Sequence, residues 1–131
     1  MPVVDASVLA EYLGEAERAE PARRCLVATR ARLWAPHLVE AEVGHALRRG
    51  VRQGEIGVDA AREALDDLIA MPLRRVGHRQ LIPRAWELRE NVSFYDALYV
   101  ALAELLEEPL ITFDGRLAGA SGVRAEVEVL A

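Results

Sequence analysis

The stretch PLITFDGRLA, residues 109–118, contains a short apolar run that ends on a carboxylate, Asp114. A run of this length and composition is typical of a buried strand. The segment MPVVDASVL, residues 1–9, repeats the arrangement, because Asp5 directly follows two valines. In open α/β sheets, ligands bind beyond the carboxyl ends of the strands. We therefore expect Asp5 and Asp114 to share one functional edge of a sheet.

Short apolar strands alternate with helical patterns along the whole chain, which predicts an α/β fold with a mostly parallel central sheet covered on both faces. No repeat, low-complexity tract or linker interrupts the pattern, so residues 1–131 are expected to form a single domain. The pattern predicts strands at 2–5, 110–113 and 126–130, and shorter candidate strands at 33–35 and 72–76. It predicts helices at 6–13, 15–31, 37–50, 59–71, 79–90 and 94–108, and a short helix after Asp114.

The composition narrows the classes of function. Of 131 residues, 52% are hydrophobic and 28% are charged, which suits a folded domain with a soluble surface. The net charge of −5 argues against a general electrostatic attraction to nucleic acid. No apolar run reaches the roughly 18 to 20 residues of a membrane span, and no basic leader precedes Asp5, so a cytoplasmic location is expected.

Two further acids are candidates to join Asp5 and Asp114. Asp96 lies in the first turn of the predicted helix 94–108 and faces away from the centre of its apolar stripe. In the helix 37–50, Glu42 has apolar neighbours one turn away on both sides, whereas Glu40 lies at the margin of that side. An acid among apolar neighbours needs a partner or a metal. Glu42 is therefore favoured over Glu40 by a narrow margin.

Each acid also has a purely structural explanation. Asp5 is placed to cap the helix that follows it, and Ser93 with Asp96 fits a capping box. Asp114 and the glycine after it form a common turn pair. Glu42 is compatible with a solvated position on its helix. Several carboxylates at one edge, however, cannot all stay ionised without a cation, and all-oxygen ligation suits Mg²⁺ or Mn²⁺.

Four blocks of sequence stand out, in this order along the chain: VVDASVL (3–9), PHLVEAEVGHALRR (36–49), SFYDALYVALA (93–103) and ITFDGRL (111–117). Together they resemble the PIN-domain ribonucleases, and within them the VapC toxins of bacterial and archaeal toxin–antitoxin pairs. The resemblance covers essentially the whole chain and implies a three-layer α/β/α domain around a parallel sheet.

By position, the resemblance assigns roles to individual residues. It chooses Glu42 over Glu40, and it implies that Glu42 binds the metal directly or through water. The implied metal-site carboxylates are Asp5, Glu42, Asp96 and Asp114, with supporting hydroxyls from Ser7 and Thr112. Contacts to the RNA backbone are expected from arginines near the Glu42 helix, namely Arg48, Arg49 and Arg52.

The resemblance also implies an activity and partners. It implies an endoribonuclease that uses Mg²⁺ or Mn²⁺ to cut RNA, often transfer or ribosomal RNA. It further implies a homodimer that is neutralised by a cognate VapB-type antitoxin. Two alternatives remain open at this stage: an RNA-processing PIN nuclease that is not a toxin, and a catalytically silent PIN-like binding module.

Other folds with acids at strand ends fit less well. A response-regulator receiver domain and a haloacid-dehalogenase-like phosphatase both need a lysine, and this chain has none. Phosphate-binding and dinucleotide-binding glycine motifs are also missing from the sequence.

Overall fold

The computed structural model describes residues 1–131 and contains a five-stranded sheet in the order β3-β2-β1-β4-β5, with every neighbouring pair parallel. Six helices flank the sheet, and the predicted α/β architecture is confirmed. The strands are β1 (Val3–Val4), β2 (Trp34–Pro36), β3 (Arg74–Val76), β4 (Leu110–Thr112) and β5 (Val127–Val129). The helices are α1 (Ala6–Leu13), α2 (Ala19–Ala28), α3 (Leu38–Arg52), α4 (Val58–Ala70), α5 (Ile82–Glu87) and α6 (Phe94–Leu106), with 3₁₀ turns at Arg79–Leu81 and Gly115–Leu117.

The register between β1 and β4 places the two acid-bearing strand ends side by side. Val3 pairs with Leu110 and Val4 pairs with Ile111, and the N–H of Asp5 donates to the Ile111 carbonyl at 3.0 Å. Both strands are covered on their two faces, which explains their unbroken apolar runs. The two chain segments therefore end at the same level of the sheet.

Helix α6 is the most deeply buried helix of the fold. All seven residues from 97 to 103 are buried, and α6 packs against β1, β2 and β4 as well as α5. The helix begins at Ser93, whose Oγ accepts the N–H of Asp96 at 3.1 Å, as the capping pattern predicts. Its first turn is consequently fixed beside the carboxyl ends of the central strands.

The predicted end of the Glu42 helix at Gly50 is wrong, because α3 continues to Arg52. Packing favours glycine at position 50, because a Cβ there would lie only 3.0 Å from Cγ2 of Ile56. The chain reverses instead through Gly54, which has a φ of 73° that glycine adopts readily.

Two other predicted helices are shorter than expected. The pattern at 15–31 yields only α2, from Ala19 to Ala28, in which Pro21 occupies the third helical position. Proline is tolerated there because the first-turn N–H groups have no partner within the helix. The pattern at 79–90 divides into a 3₁₀ turn and α5, which ends at Glu87. None of the six helices has the length and apolar character needed to cross a bilayer.

Candidate active site

A cavity of about 720 Å³ opens at the carboxyl ends of β1 and β4, and all four predicted carboxylates line it. Asp5 follows β1, Asp114 follows β4, Glu42 comes from α3 and Asp96 from α6. The polar or charged side chains that complete the lining are Ser7, His45, Arg49, Tyr95 and Arg116. The fold thus brings together acids from four separate segments of the chain.

Asp5 combines a structural role with its place in the cavity. It is the N-cap of α1, and its Oδ1 accepts the N–H of Ser7 at 2.5 Å. Its other oxygen, Oδ2, accepts the hydroxyl of Thr112 at 2.6 Å. The capping interpretation and the site interpretation of Asp5 are therefore compatible, and both of its oxygens are held in a fixed orientation.

The two predicted supporting hydroxyls hold the ends of β1 and β4 together. Thr112 is fully buried, and its Oγ1 accepts the N–H of Asp114 at 2.9 Å while its own hydroxyl donates to Asp5. On the other side, the Oγ of Ser7 accepts the N–H of Phe113 at 3.2 Å. Ser7 and Thr112 thereby fix the backbone that carries Asp114 relative to Asp5.

Glu42 and Glu40 lie in different surroundings, which separates the two candidates in α3. Glu42 is half-buried in the cavity, and its Oε1 accepts the hydroxyl of Tyr99 at 2.7 Å. Burial raises the pKa of Glu42, the Tyr99 hydrogen bond opposes that rise, and the charges of Asp5 and Asp96 add to it. Glu40 instead forms an ion pair with Arg75 at 3.0 Å, outside the cavity.

Asp96 experiences the same crowding of negative charge. Burial raises the pKa of Asp96, and the nearby Asp5 carboxylate raises it further. A hydrogen bond with Ser93 acts in the opposite direction, and the charge of Asp114 adds a smaller rise. The first turn of α6 therefore holds an acid whose ionised form would be stabilised by a nearby cation.

Asp114 differs from the other three acids because an arginine already neutralises it. The Arg116 guanidinium donates from Nε to Oδ1 at 3.0 Å and from Nη2 to Oδ2 at 2.9 Å. The backbone N–H of Arg116 also donates to Oδ1 at 3.0 Å. These hydrogen bonds and the positive charge of Arg116 hold the pKa of Asp114 below its ordinary value.

The donor chemistry of the cavity fits a hard divalent cation, since every carboxylate offers oxygen and the acids repel one another. In their present rotamers, however, no three acidic, histidine or cysteine side chains converge closely enough to enclose a metal ion. Protein donors engage Asp5, Glu42 and Asp114 in this arrangement. A metal ion at this cavity would therefore be bound by side chains in other rotamers.

The sequence pattern of the PIN domain matches residues 3–123, which include all four cavity acids. The chain belongs to the PIN-domain family. This PIN domain is 54% identical over 97 residues to ribonuclease VapC1 of Mycobacterium tuberculosis, an alignment that covers 73% of each protein. It is also 38% identical over 131 residues to ribonuclease VapC9 of the same species, covering 99% of this chain and 98% of the relative.

Solved structures share the fold of this PIN domain at lower identity. Mycobacterium tuberculosis VapC20, described as a toxin that cleaves the sarcin-ricin loop, superposes with a TM-score of 0.72 at 23% identity, covering 88% of this chain and 91% of that one. VapBC2 from Rickettsia felis, bound to a DNA fragment from its promoter, gives a TM-score of 0.73 at 12% identity, with 98% of both chains covered. At these identities the likeness concerns the fold.

Of the three arginines expected to contact RNA, only Arg49 lines the cavity of this PIN domain. Arg48 and Arg52 are exposed on α3 but lie outside the cavity. Sequence reasoning missed Arg116, which is on the rim, and Tyr99, which holds Glu42. Their spacing was the available signal: Arg116 lies two residues after Asp114, and Tyr99 lies one helical turn after Asp96.

Proposed function

We propose that this PIN domain is a metal-dependent endoribonuclease that acts as the toxin of a toxin–antitoxin pair. The observation that carries the proposal is the meeting of four carboxylates around one cavity, in a chain that aligns over nearly its full length with ribonuclease VapC9. The acids come from Asp5, Glu42, Asp96 and Asp114, which are the positions that the family resemblance assigns to the site.

These residues are suited to hold Mg²⁺ or Mn²⁺. Asp5, Asp96 and Asp114 would bind the ion directly, and Glu42 would bind it directly or through water. When bound, the ion supplies Lewis-acid stabilisation of charge on the phosphate and makes water a better nucleophile near neutral pH. The oxygen donors and the mutual repulsion of Glu42, Asp96 and Asp5 support this assignment over a zinc site, which prefers nitrogen and sulfur ligands.

The protein's own groups would orient the site and receive the substrate. Thr112 and the Ser7 backbone orient the two oxygens of Asp5, and Tyr99 orients Glu42, in the metal-free protein. The net charge is negative, so phosphate contacts must come from local cations. Arg49 and Arg116, both on the cavity, are the cations placed to contact the phosphodiester beside the acids.

The RNA substrate is proposed to be a structured RNA, either transfer or ribosomal RNA. VapC20, which shares the fold, is described as cleaving the sarcin-ricin loop. A VapB-type antitoxin is proposed as the partner that covers the cavity. The proposal is supported by a solved toxin–antitoxin complex from Klebsiella pneumoniae that shares this fold. Its TM-score is 0.66 at 21% identity, with 98% of this chain and 97% of that one covered.

We also propose a homodimer. Exposed apolar side chains suited to an interface are present on α4, where Ile69 is 73% exposed, and on α5, where Trp86 is 59% exposed. Sedimentation equilibrium of the purified chain tests this, and charged substitutions at Ile69 and Trp86, made separately, would identify which face is used.

The nuclease proposal is tested by incubating purified protein with a mixed pool of transfer and ribosomal RNA in Mn²⁺, in Mg²⁺ and in chelator. Asp96→Asn removes one cavity acid, and Asp66→Asn, on the exposed face of α4, is the matched control for the change in charge. We expect discrete cuts that need the divalent cation, survive in Asp66→Asn and disappear in Asp96→Asn.

Two results would contradict the proposal. Cleavage that persists in chelator would exclude a metal-dependent site. Absence of cleavage, together with no change in melting temperature on adding Mn²⁺, would indicate a binding module. If Mn²⁺ raises the melting temperature without cleavage of this pool, the metal site stands, and the RNA pool is widened to total cellular RNA.

A further inference from the structure

Arg116 donates every hydrogen bond that the carboxylate of Asp114 accepts within the chain. Two guanidinium nitrogens reach the two oxygens of Asp114 at 3.0 and 2.9 Å, and the backbone N–H adds a third bond at 3.0 Å. A guanidinium that spans both oxygens in this way takes up the bidentate position that a metal ion would otherwise share. Of the two arginines on the cavity, Arg116 alone forms an ion pair with one of its acids.

We propose that Arg116 is an internal competitor of the divalent cation: it holds Asp114 in the metal-free protein, must leave that carboxylate when the cation binds, and so sets the metal concentration at which the site fills. This inference rests on the proposed function, because it takes the four acids to be a metal site.

The charge distribution in the cavity supports an exchange of cations. The Arg116 charge acts on Asp114 directly and also favours the ionised form of Asp96. Arg116 thus relieves part of the repulsion among the acids when no metal is present. A divalent cation at the same carboxylates would repel the guanidinium, and Coulomb's law makes that repulsion strongest at the short distances of this site.

The surroundings of Arg116 allow its side chain to move. The side chain is 89% exposed, and Asp114 is the only group with which it forms hydrogen bonds. Its departure would leave no buried polar group unpaired. The turn at Gly115–Leu117 would keep its shape, because the Arg116 backbone N–H still donates to Asp114 and the Leu117 N–H donates to the Asp114 carbonyl at 3.3 Å.

A purely structural role explains the ion pair less well. An ion pair this exposed contributes little to folding, because solvent and salt screen it. The hydrogen bonds that the Arg116 and Leu117 N–H groups donate to Asp114 already close the turn without the guanidinium. The feature that remains to be explained is why a cation lies on Asp114, whose backbone N–H Thr112 already holds in place at the end of β4.

The test is Mn²⁺ affinity measured without RNA, from the electron paramagnetic resonance signal of free Mn²⁺ during titration. The variants are Arg116→Gln, which removes the charge, Arg116→Ala as a second removal, and Arg116→Lys, which keeps a charge that cannot span both oxygens. Arg23→Gln is the matched control, because Arg23 also holds a carboxylate with two nitrogens, that of Glu20, on an exposed surface away from the cavity.

We expect Arg116→Gln and Arg116→Ala to lower the Kd for Mn²⁺ about fivefold, the factor that corresponds to the upper end of the range for exposed ion pairs. Arg116→Lys should give an intermediate Kd, and Arg23→Gln should leave it unchanged. Melting temperatures in chelator check that each variant is folded.

The outcomes separate this inference from the metal site itself. Equal Kd values for parent and Arg116→Gln, with binding lost in Asp96→Asn, would overturn the competitor role and leave the site in place. Weaker binding in Arg116→Gln would also overturn it, because Arg116 would then support the metal. Failure of every protein to bind Mn²⁺ would overturn both the metal site and the inference.

Discussion

The hydroxyl of Thr112 donates to Oδ2 of Asp5 at 2.6 Å, and this single bond joins residues 107 positions apart in the sequence. The same Thr112 oxygen accepts the N–H of Asp114 at 2.9 Å. One buried hydroxyl therefore connects two of the four cavity acids and fixes their separation. The position of the acids depends on this connection as much as on the strands that carry them.

Replacing Thr112 with valine keeps the size of the side chain and removes both hydrogen bonds. We expect the free energy of unfolding to fall by about 1 to 3 kcal/mol, because buried partners on Asp5 and Asp114 are left unpaired. Urea denaturation measures the loss, and Mn²⁺ titration should show a weaker site.

The matched control for that substitution is Thr29→Val, which removes a hydroxyl bonded to the Cys25 carbonyl at the end of α2. Thr29→Val should leave the Mn²⁺ affinity unchanged. If Thr112→Val also left both stability and affinity unchanged, the Thr112 bridge would have no role in holding the acids.

Replacing Tyr99 with phenylalanine removes the hydrogen bond to Glu42 while keeping the buried ring. That bond opposes the effect of burial on Glu42, so its loss should raise the pKa of Glu42 further. Carbon-13 NMR titration of the glutamate carboxyls in chelator measures the shift. Tyr95→Phe, at an exposed tyrosine on the same cavity, is the control and should not move the pKa. An unchanged Glu42 titration in Tyr99→Phe would show that the tyrosine does not position this acid.

In the metal-free protein, the contribution of Asp96 and Glu42 to the free energy of unfolding should fall as the pH rises above the ordinary carboxyl range of about pH 4. The pKa values of Asp96 and Glu42 are raised in the folded state, so the folded protein binds their protons more tightly than the unfolded chain does. Their contribution to the free energy of unfolding is fully present below the pKa of the unfolded chain and is lost as the pH rises through the pKa of the folded state. Thermal melts in chelator from pH 4 to 8 test this.

The variant Asp96→Asn should flatten that decline and be as stable as the parent at pH 7, or more stable, because it removes a repelled charge. Addition of Mg²⁺ should reverse the order by stabilising only the parent. A clear loss of stability in chelator would instead indicate that the carboxylate of Asp96 serves mainly to support the start of α6.

Glu104 should show the opposite dependence on pH. Burial tends to raise the pKa of Glu104, but hydrogen bonds from Arg84, at 2.6 and 3.2 Å, and from the Arg124 N–H, at 2.8 Å, together lower it. Its contribution is therefore present above the unfolded pKa and is lost as the pH falls through the folded pKa. We expect Glu104→Gln to reduce the free energy of unfolding at pH 7 by about 1 to 3 kcal/mol.

Urea denaturation at pH 7 and pH 3 tests the Glu104 prediction, and the difference between variant and parent should shrink at pH 3. The Mn²⁺ affinity should not change, since Glu104 lies outside the cavity. An undiminished difference at pH 3 would assign the effect to packing instead of charge.

Local signals in the sequence were sufficient to predict the fold class and the meeting of Asp5 and Asp114 at one edge of the sheet. Buried parallel strands are short apolar runs in the sequence. An acid that directly follows such a run is therefore expected to lie at the carboxyl edge of the sheet. The choice of Glu42 over Glu40 needed the family resemblance, since α3 periodicity alone left a narrow margin. The structure gives the physical reason: Glu42 meets Tyr99, whereas Glu40 meets Arg75.

The parts that could not be predicted depend on contacts between distant segments. The end of α3 was misplaced because the role of Gly50 comes from its contact with Ile56, which no local pattern reveals. The pairing of Thr112 with Asp5 requires the register of β1 against β4. The rotamer of Arg116 on Asp114 likewise follows from the turn geometry after β4.

The pairing of β1 with β4 also determines when the cavity comes into being during translation. Val3 leaves the ribosome early but has no partner in β4 until Leu110 has emerged more than a hundred residues later. Contacts of such long sequence separation form slowly. A nascent chain that stops before β4 therefore holds Asp5, Glu42 and Asp96 without Thr112 or Asp114, so the cavity of four acids cannot form until synthesis is nearly complete.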